Sequence, residues 1–207
     1  MKIEKYINYL LFVLMLIAGI SCSIYTEPEE SAEALIDVGW EKFQDGDYEE
    51  ALSKFANAIF TDDDIALAYQ GRGWCYLILS NATLAAEDFN MAITKGDNSL
   101  DPLAGLAAAY LAQQEYMLAI SKAKAVLEGN PNYFFEYEPQ INYLDMRIIL
   151  AMAYFHEGRL DEAQEQVNFL YPDNGLDPDD SETWLGYISY AEALMSVIDL
   201  LDIDYLM

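Results

Sequence analysis

The sequence predicts an all-α fold, an α-solenoid of about four stacked helical hairpins with a C-terminal capping helix. Apolar residues make up 54% of the 207 residues, which is enough for a packed core. The chain has only 6 prolines and 11 glycines, which favours helices over a β-sandwich or barrel. Small and aromatic residues also recur at a 34-residue step through the middle of the chain, as expected of stacked repeats.

The first element, residues 1–21, has the pattern of a secretory signal peptide. Lys2 and Lys5 precede an uninterrupted apolar run over residues 9–20. That run is too short to cross a bilayer core of about 30 Å. We therefore predict cleavage at the end of this segment.

The residues around the predicted cleavage site indicate a lipid anchor. The segment Ala18-Gly19-Ile20-Ser21-Cys22 resembles a bacterial lipobox, in which a small residue precedes a cysteine that is lipidated after cleavage. The resemblance implies cleavage before Cys22, lipidation of that residue and a polar tether over residues 22–30. Because residue 23 is Ser and not Asp, resemblance to proteobacterial lipoproteins implies the periplasmic face of the outer membrane or the cell surface. An uncleaved transmembrane anchor over residues 7–25 remains the alternative.

The repeats occupy residues 31–171 and are counted from recurring positions. Gly39-Trp40 recurs as Gly73-Trp74, and the group Ala51, Phe55, Ala58, Ile59 recurs as Ala85, Phe89, Ala92, Ile93. A third copy contains Ala107, Tyr110, Ala119 and Pro131; a fourth contains Ala151, Tyr154, Gly158 and Ala163. The fourth copy is offset by ten extra residues. The predicted units are 32–65, 66–99, 100–131 and 144–171, with an aromatic-rich insertion at 132–143.

This period and residue order resemble the tetratricopeptide repeat, which implies a helix, a tight turn and a second helix in each unit. The match is carried by Gly73-x-x-Tyr76, Ala85-x-x-x-Phe89 and the turn that begins at Gly46. The resemblance places small residues where the two helices cross, namely Gly39, Gly73, Ala107 and Ala151 on the first helices and Ala51, Ala85, Ala119 and Ala163 on the second. Phe55 and Phe89 fill the space toward the next unit.

Two turns depart from that pattern. The second copy has Ser80-Asn81 where the first has Gly46-Asp47, and the third has Gln113-Gln114-Glu115. For the third copy we expect a tighter or an extended helical turn. Gly46 and Gly158 suit the turn in the first and fourth copies, where a positive φ is often needed.

The last elements are an acidic loop over residues 172–182 and a helix over residues 183–207. Apolar residues recur at helical spacing from Trp184 to Leu201. Ser181 or Asp180 is expected to cap this helix, which would close the last repeat.

Catalysis is not expected, because the sequence offers no recognisable catalytic group. His156 is the one histidine, and neither a metal-ligand motif, a nucleophile elbow nor a Gly-rich phosphate loop occurs. Cys75 is expected to be a small buried hydrophobe. We therefore predict no enzyme, no cofactor, no metal and no small-molecule substrate; whether the acidic loops hold calcium is left open.

The net charge of −26 excludes nucleic-acid binding, because such a surface repels phosphates. The acidity indicates either solubility and a salty habitat or a basic partner, and both interpretations stay open.

The repeat resemblance implies that the first helices line a concave groove. The groove candidates for partner binding are Trp40, Phe43, Trp74, Leu77, Met152 and Phe155. The family's carboxylate clamp is absent, since no basic residue stands at the corresponding positions, Glu33, Ile36, Asp37, Leu67, Gln70, Asp101 and Ala104. An apolar or basic segment, such as an amphipathic helix, fits better. The groove is expected to be either open or covered by residues 25–31 or the C-terminal helix.

These observations favour a membrane-anchored interaction scaffold or assembly factor of the bacterial cell envelope, which binds a partner peptide or helix in this groove. The alternative is a carbohydrate-binding surface lipoprotein, since 16 tyrosines and 3 tryptophans could stack on sugars.

Overall fold

The computed structural model of the chain describes residues 30–184 and 189–205. The predicted signal segment, Cys22 and residues 22–29 of the tether lie outside the described residues. Within the described part no helix is long and apolar enough to cross a membrane.

The repeat region folds as four helical hairpins, and the predicted α-solenoid is confirmed. The hairpins are α1 (Ala32–Gln44) with α2 (Tyr48–Thr61), α3 (Ala66–Ile78) with α4 (Ala82–Thr94), α5 (Asp101–Ala112) with α6 (Tyr116–Gly129), and α7 (Tyr143–His156) with α8 (Leu160–Leu170). Each helix packs on the next along the chain. The first helices α1, α3, α5 and α7 also contact one another in that order, so they form one continuous wall.

Glycine and phenylalanine interlock the hairpins. Phe55 is fully buried between two glycines, and a Cβ on Gly39 or on Gly71 would lie only 2.7 or 2.4 Å from its ring. Phe89 repeats this arrangement 34 residues later, with corresponding distances of 2.9 Å at Gly73 and 2.2 Å at Gly105. The sequence analysis identified the glycine of each phenylalanine's own hairpin. The structure adds Gly71 and Gly105, on the first helix of the following hairpin.

All four turns within the hairpins have the same backbone. At the first turn, Gly46 has φ +82° and its N–H donates to the carbonyl of Phe43, while the Asp47 N–H donates to the carbonyl of Lys42. The same pattern occurs at Ser80, Gln114 and Gly158, with φ of +61°, +63° and +72°. The expectation of a tighter or extended turn in the third copy is therefore wrong, because Gln114 adopts the left-handed conformation that glycine adopts elsewhere.

The aromatic-rich insertion forms a small antiparallel β-hairpin, hereafter the inserted hairpin. Its strands are β1 (Phe134–Phe135) and β2 (Glu138–Asn142), paired Phe134 to Asn142 and Phe135 to Glu138. The register shifts between the two pairs, which marks a bulge. Asn142 then starts α7 through a capping box with Asp145.

The C-terminal part differs from the predicted helix over 183–207. A short 3-10 helix spans Ser181–Trp184, and the α-helix α9 spans Tyr190–Tyr205. Asp180 accepts a hydrogen bond from the backbone N–H of Glu182, so it caps the short helix. The helix α9 packs on α7 and α8 and buries Leu194 and Ile198. It thus closes the fourth hairpin as a capping helix should.

Candidate binding groove

The first helices α1, α3, α5 and α7 line the groove. One position on each of these helices determines how far the groove is filled. This position follows the small crossing residue, and it is occupied in turn by Trp40, Trp74, Ala108 and Met152. Trp40 and Trp74 are almost fully buried, at 4% and 2% exposure. Ala108 and Met152 line an open pocket, which Trp74 borders. The groove therefore has a filled half and an open half.

The inserted hairpin fills the tryptophan half of the groove. Phe135 is fully buried, stacks on Trp74 with ring centroids 4.6 Å apart, and meets Trp40 edge-on at 5.8 Å. Tyr137 lies parallel to the Trp40 ring with centroids 3.7 Å apart. Phe43, also buried, contacts Phe135 edge-on at 6.2 Å. Three of the six groove candidates are thus core residues beneath the hairpin.

Ring packing, more than hydrogen bonding, holds the hairpin on the two tryptophans. Neither indole N–H, at Trp40 or at Trp74, has an acceptor among the described residues, although both are buried. A buried donor without a partner costs about 1–3 kcal/mol. Aromatic contacts of this geometry contribute about 0.5–1.5 kcal/mol each beyond the apolar area they bury, so several rings together offset that cost.

A polar network fixes the base of the hairpin to the groove wall. The Tyr133 hydroxyl donates to Asp101 Oδ1 at 3.0 Å, and Gln70 Nε2 donates to Asp101 Oδ2 at 3.1 Å. Burial raises the pKa of Asp101, although both hydrogen bonds act to lower it. Burial also raises the pKa of Tyr133 far above its usual range, so its hydroxyl stays a donor. At the other end, the backbone N–H of Asn142 donates to Asp145 Oδ2 at 2.6 Å.

The groove is thus partly self-covered, by a segment that differs from the two expected ones. The cover over the tryptophans is the insertion at 132–143, whose conformation the sequence analysis left unassigned. The C-terminal helix packs instead on α7 and α8. Residues 25–29 of the other expected cover lie outside the described residues.

The open half of the groove is a pocket of about 470 Å³ between α3, α5 and α7. Its walls include three of the six candidates, Trp74, Leu77 and Met152, together with Ala108, Leu111 and Ile141 of the inserted hairpin. The side chains around it are apolar, and Asp145 is the one charged residue among the described residues that line it. Such a pocket suits apolar side chains.

Phe155, the remaining candidate, does not line this pocket. Its ring is half-buried beside His156, with centroids 5.7 Å apart. His156 in turn stacks on Tyr116 at 4.6 Å, which gives the one histidine of the chain a packing role. Partner binding through the six candidates stays a prediction. Leu77 and Met152 are the candidates that line the pocket and are only partly buried.

The pocket residues that sequence reasoning missed include Ile141, Met146 and Ile149. Ile141 belongs to the insertion, and the other two lie on the first turns of α7, before the residues that matched the repeat pattern. The step from 34 to 44 residues marks the insertion in the sequence. Its place in the groove depends on contacts far apart along the chain.

Residues of the two acidic runs form ion pairs and hydrogen bonds, and the thiol of Cys75 is buried. Asp62, Asp63 and Asp64 bring their carboxylates within 4.8 Å of one another on an exposed turn, but Lys95 Nζ lies 2.7 Å from Asp64 and 3.8 Å from Asp63. In the acidic loop the Asp177 N–H donates to Thr183 Oγ1. Burial raises the pKa of Cys75 to about 12, so its thiol stays protonated.

Comparison with known proteins supports the repeat assignment. Residues 37–99 match the sequence model of a tetratricopeptide repeat family. Human sperm-associated antigen 1 is 31% identical over 107 residues, which cover 48% of this chain and 12% of that protein. The chain therefore spans a small part of the length of this relative.

Solved structures show the same fold. YrrB, described as a TPR protein with an unusual peptide-binding site, has a TM-score of 0.61 at 21% identity, over 87% of this chain and 91% of its own. MamA MSR-1 C2 has a TM-score of 0.60 at 20% identity, over 84% and 97%. A tetratricopeptide repeat protein from Parabacteroides merdae has 0.55 at 18%, over 84% and 61%. Residues 37–99 thus match the tetratricopeptide repeat, and the solved structures show that the stacked hairpins have the fold of proteins built from that repeat.

Proposed function

We propose that the chain is a protein-interaction scaffold of the bacterial cell envelope, and that the open half of its groove binds a segment of a partner protein. The observation that carries this proposal is the apolar pocket between α3, α5 and α7, which remains accessible beside the inserted hairpin. Contiguous apolar surface of this kind is rare on soluble proteins unless it is used. The similar protein YrrB is described as having a peptide-binding site, which supports the same use of the fold.

Binding is proposed in preference to catalysis because of the surroundings of the histidine and of the described cysteine. His156 stacks on Tyr116, and the Cys75 thiol is buried with its pKa raised to about 12. The carbohydrate-binding alternative needs aromatic rings that are free to stack on sugars. Trp40 and Trp74 are instead buried under Phe135 and Tyr137, so we retain the protein partner.

In-cell photocrosslinking tests the groove. A photoreactive amino acid is placed at Leu77 or at Met152, on opposite walls of the pocket, and for control at Leu84, which is 37% exposed on α4. We expect both pocket positions to crosslink to the same protein and the control position not to. Crosslinks confined to Leu84, or different partners from the two walls, would contradict the proposal.

Attachment to the membrane is a second part of the proposal and rests on the sequence alone. It assigns cleavage before Cys22 and lipidation of that cysteine. The test is mass spectrometry of the N-terminal peptide from membranes, with Cys22→Ser as control. We expect an acylated Cys22 in the wild type and an unprocessed, unacylated N-terminus in the variant. An intact, unacylated Met1 terminus in the wild type would instead support the uncleaved anchor.

A further inference from the structure

The pocket exists because the third repeat has a small residue where the first two have tryptophan. Ala108 occupies the groove position that Trp40 and Trp74 occupy one and two repeats earlier. Ala104 and Ala112, one turn away on each side, also line the pocket. The missing bulk leaves a recess on α5, flanked by larger side chains such as Leu77 and Met152.

The inserted hairpin shows which side chains this groove accepts. At each tryptophan it supplies an aromatic ring, Phe135 on Trp74 and Tyr137 on Trp40. The third repeat has no tryptophan at this position, so Ala108 leaves a recess in the groove. A bulky side chain that fills this recess would have to come from a partner. The volume of about 470 Å³ is ample for such a side chain.

Charge narrows the choice of partner. The chain carries a net charge of −26, and Asp145 is the one charged side chain in the described lining of the pocket. Four described basic residues have carboxylate partners, in the pairs Arg72–Asp88, Lys95–Asp64, Arg159–Glu162 and Lys42–Glu50. An approaching segment therefore meets a negative field, which favours basic flanks and repels acidic ones.

We propose that the pocket receives one bulky apolar side chain of a partner segment, and that lysine or arginine flanks this anchor in the partner. The inference rests on the proposed function and specifies its partner. It assigns Ala108 as the residue that determines specificity, because its small size makes the recess.

The test uses the full chain and a display library of random dodecapeptides as probe. Binding of the selected peptides is compared between the wild type and Ala108→Trp, which restores the side chain of the first two repeats. Leu84→Trp, on exposed α4, is the matched control. Circular dichroism and thermal melting show whether the tryptophan variant folds. Ala108→Leu fills the recess only partly and provides a second test if the tryptophan variant does not fold.

We expect the selected peptides to share an aromatic or large aliphatic residue next to lysine or arginine. Ala108→Trp should lower the affinity for these peptides at least about tenfold, as expected for loss of a central anchor pocket. Ala108→Leu should lower the affinity less, and Leu84→Trp should leave it unchanged. Selected peptides that are acidic, that lack a bulky residue, or that bind Ala108→Trp as well as the wild type would overturn the inference.

Failure of this inference is distinguishable from failure of the proposed function. If photocrosslinks still form from Leu77 and Met152 while the selected peptides ignore the recess, the groove binds a partner by another chemistry. If the crosslinks are also absent, the scaffold proposal itself fails.

Discussion

Phe55 and Phe89 each fill a gap that is left by two glycines, one on their own hairpin and one on the next. This contact lies between neighbouring repeats, so it contributes to the interface energy that stabilises the stack. Its tightness has a measurable consequence at Gly105, where a Cβ would lie 2.2 Å from the Phe89 ring.

Gly105→Ala should lower the free energy of unfolding by about 1–3 kcal/mol, because overpacking costs more than alanine gains in helix propensity. Urea unfolding measures it. A double-mutant cycle with Phe89→Leu is the control, and the alanine should cost much less once the ring is gone. Equal costs in the two backgrounds would show that the ring is not the cause.

At the turn residue Gln114, a substitution is expected to stabilise the fold. Its φ of +63° is a conformation that glycine adopts without steric cost. Gln114→Gly should raise the free energy of unfolding by about 0.5–1 kcal/mol, since relief of about 1–2 kcal/mol of strain exceeds the entropic cost of glycine. Gln114→Ala keeps the Cβ and should bring no gain. Equal stability of the two variants would contradict the strained turn.

These residues show how far sequence reasoning reaches at this scale. Gly39 and Gly73 were identified because they match the repeat pattern. Gly71 and Gly105 are also 34 residues apart and could have been found by the same comparison. The residue types at Ser80 and Gln114 do not signal a positive φ, but both lie at the 34-residue step from Gly46, so the same comparison indicates it.

Among the elements, the inserted hairpin matters most for the site, and its attachment depends on Phe135. Phe135→Ala should lower the free energy of unfolding by about 3–5 kcal/mol, as for other buried phenylalanines. It should also increase acrylamide quenching of tryptophan fluorescence, because Trp74 loses its cover. The neighbouring Phe134, 58% exposed on the same strand, is the matched control. Similar effects of Phe134→Ala and Phe135→Ala would contradict the described hairpin.

Asp101, at the base of the inserted hairpin, should make the free energy of unfolding depend on pH. Because burial raises the pKa of Asp101 in the folded chain, the folded state holds that proton more tightly than the unfolded chain does. The contribution of Asp101 to stability is therefore complete below about pH 4, its unfolded value, and falls as the pH rises through the raised pKa. Asp101→Asn removes the titrating group; its amide oxygen can accept from the Tyr133 hydroxyl, and its N–H can donate to the Gln70 oxygen once the Gln70 amide flips.

The free energy of unfolding of Asp101→Asn relative to the wild type should therefore increase from pH 4 to pH 7. Urea unfolding of both proteins at the two pH values measures the change, and other carboxylates cancel in the difference. A difference that stays constant, or that falls as the pH rises, would contradict the assigned environment of Asp101.

At this scale the sequence predicted the eight repeat helices well, because the small and aromatic positions recur. It identified the insertion but not its structure, since the contacts of Phe135 and Tyr137 with Trp74 and Trp40 link residues about 60 to 100 positions apart. Periodicity reports only local structure. The start of α9 was also misplaced, because helical spacing continues through residues that form the 3-10 helix.

In the whole molecule, four hairpins build one wall, the inserted hairpin fills the tryptophan half of it, and the pocket at Ala108 remains. The fold class could be read from the sequence alone. The division of the groove could not, because it depends on where an insertion in one repeat packs against two others. The negative charge of the chain was evident from composition. Its consequence for partner binding depends on the position of the pocket.

The most direct test of this division is a crystal structure of the full chain with a peptide selected from the dodecapeptide library. We expect the peptide to place a bulky side chain against Ala108, between Leu77 and Met152, while Phe135 and Tyr137 stay on Trp74 and Trp40. A peptide seated on the two tryptophans, with the inserted hairpin displaced, would contradict it.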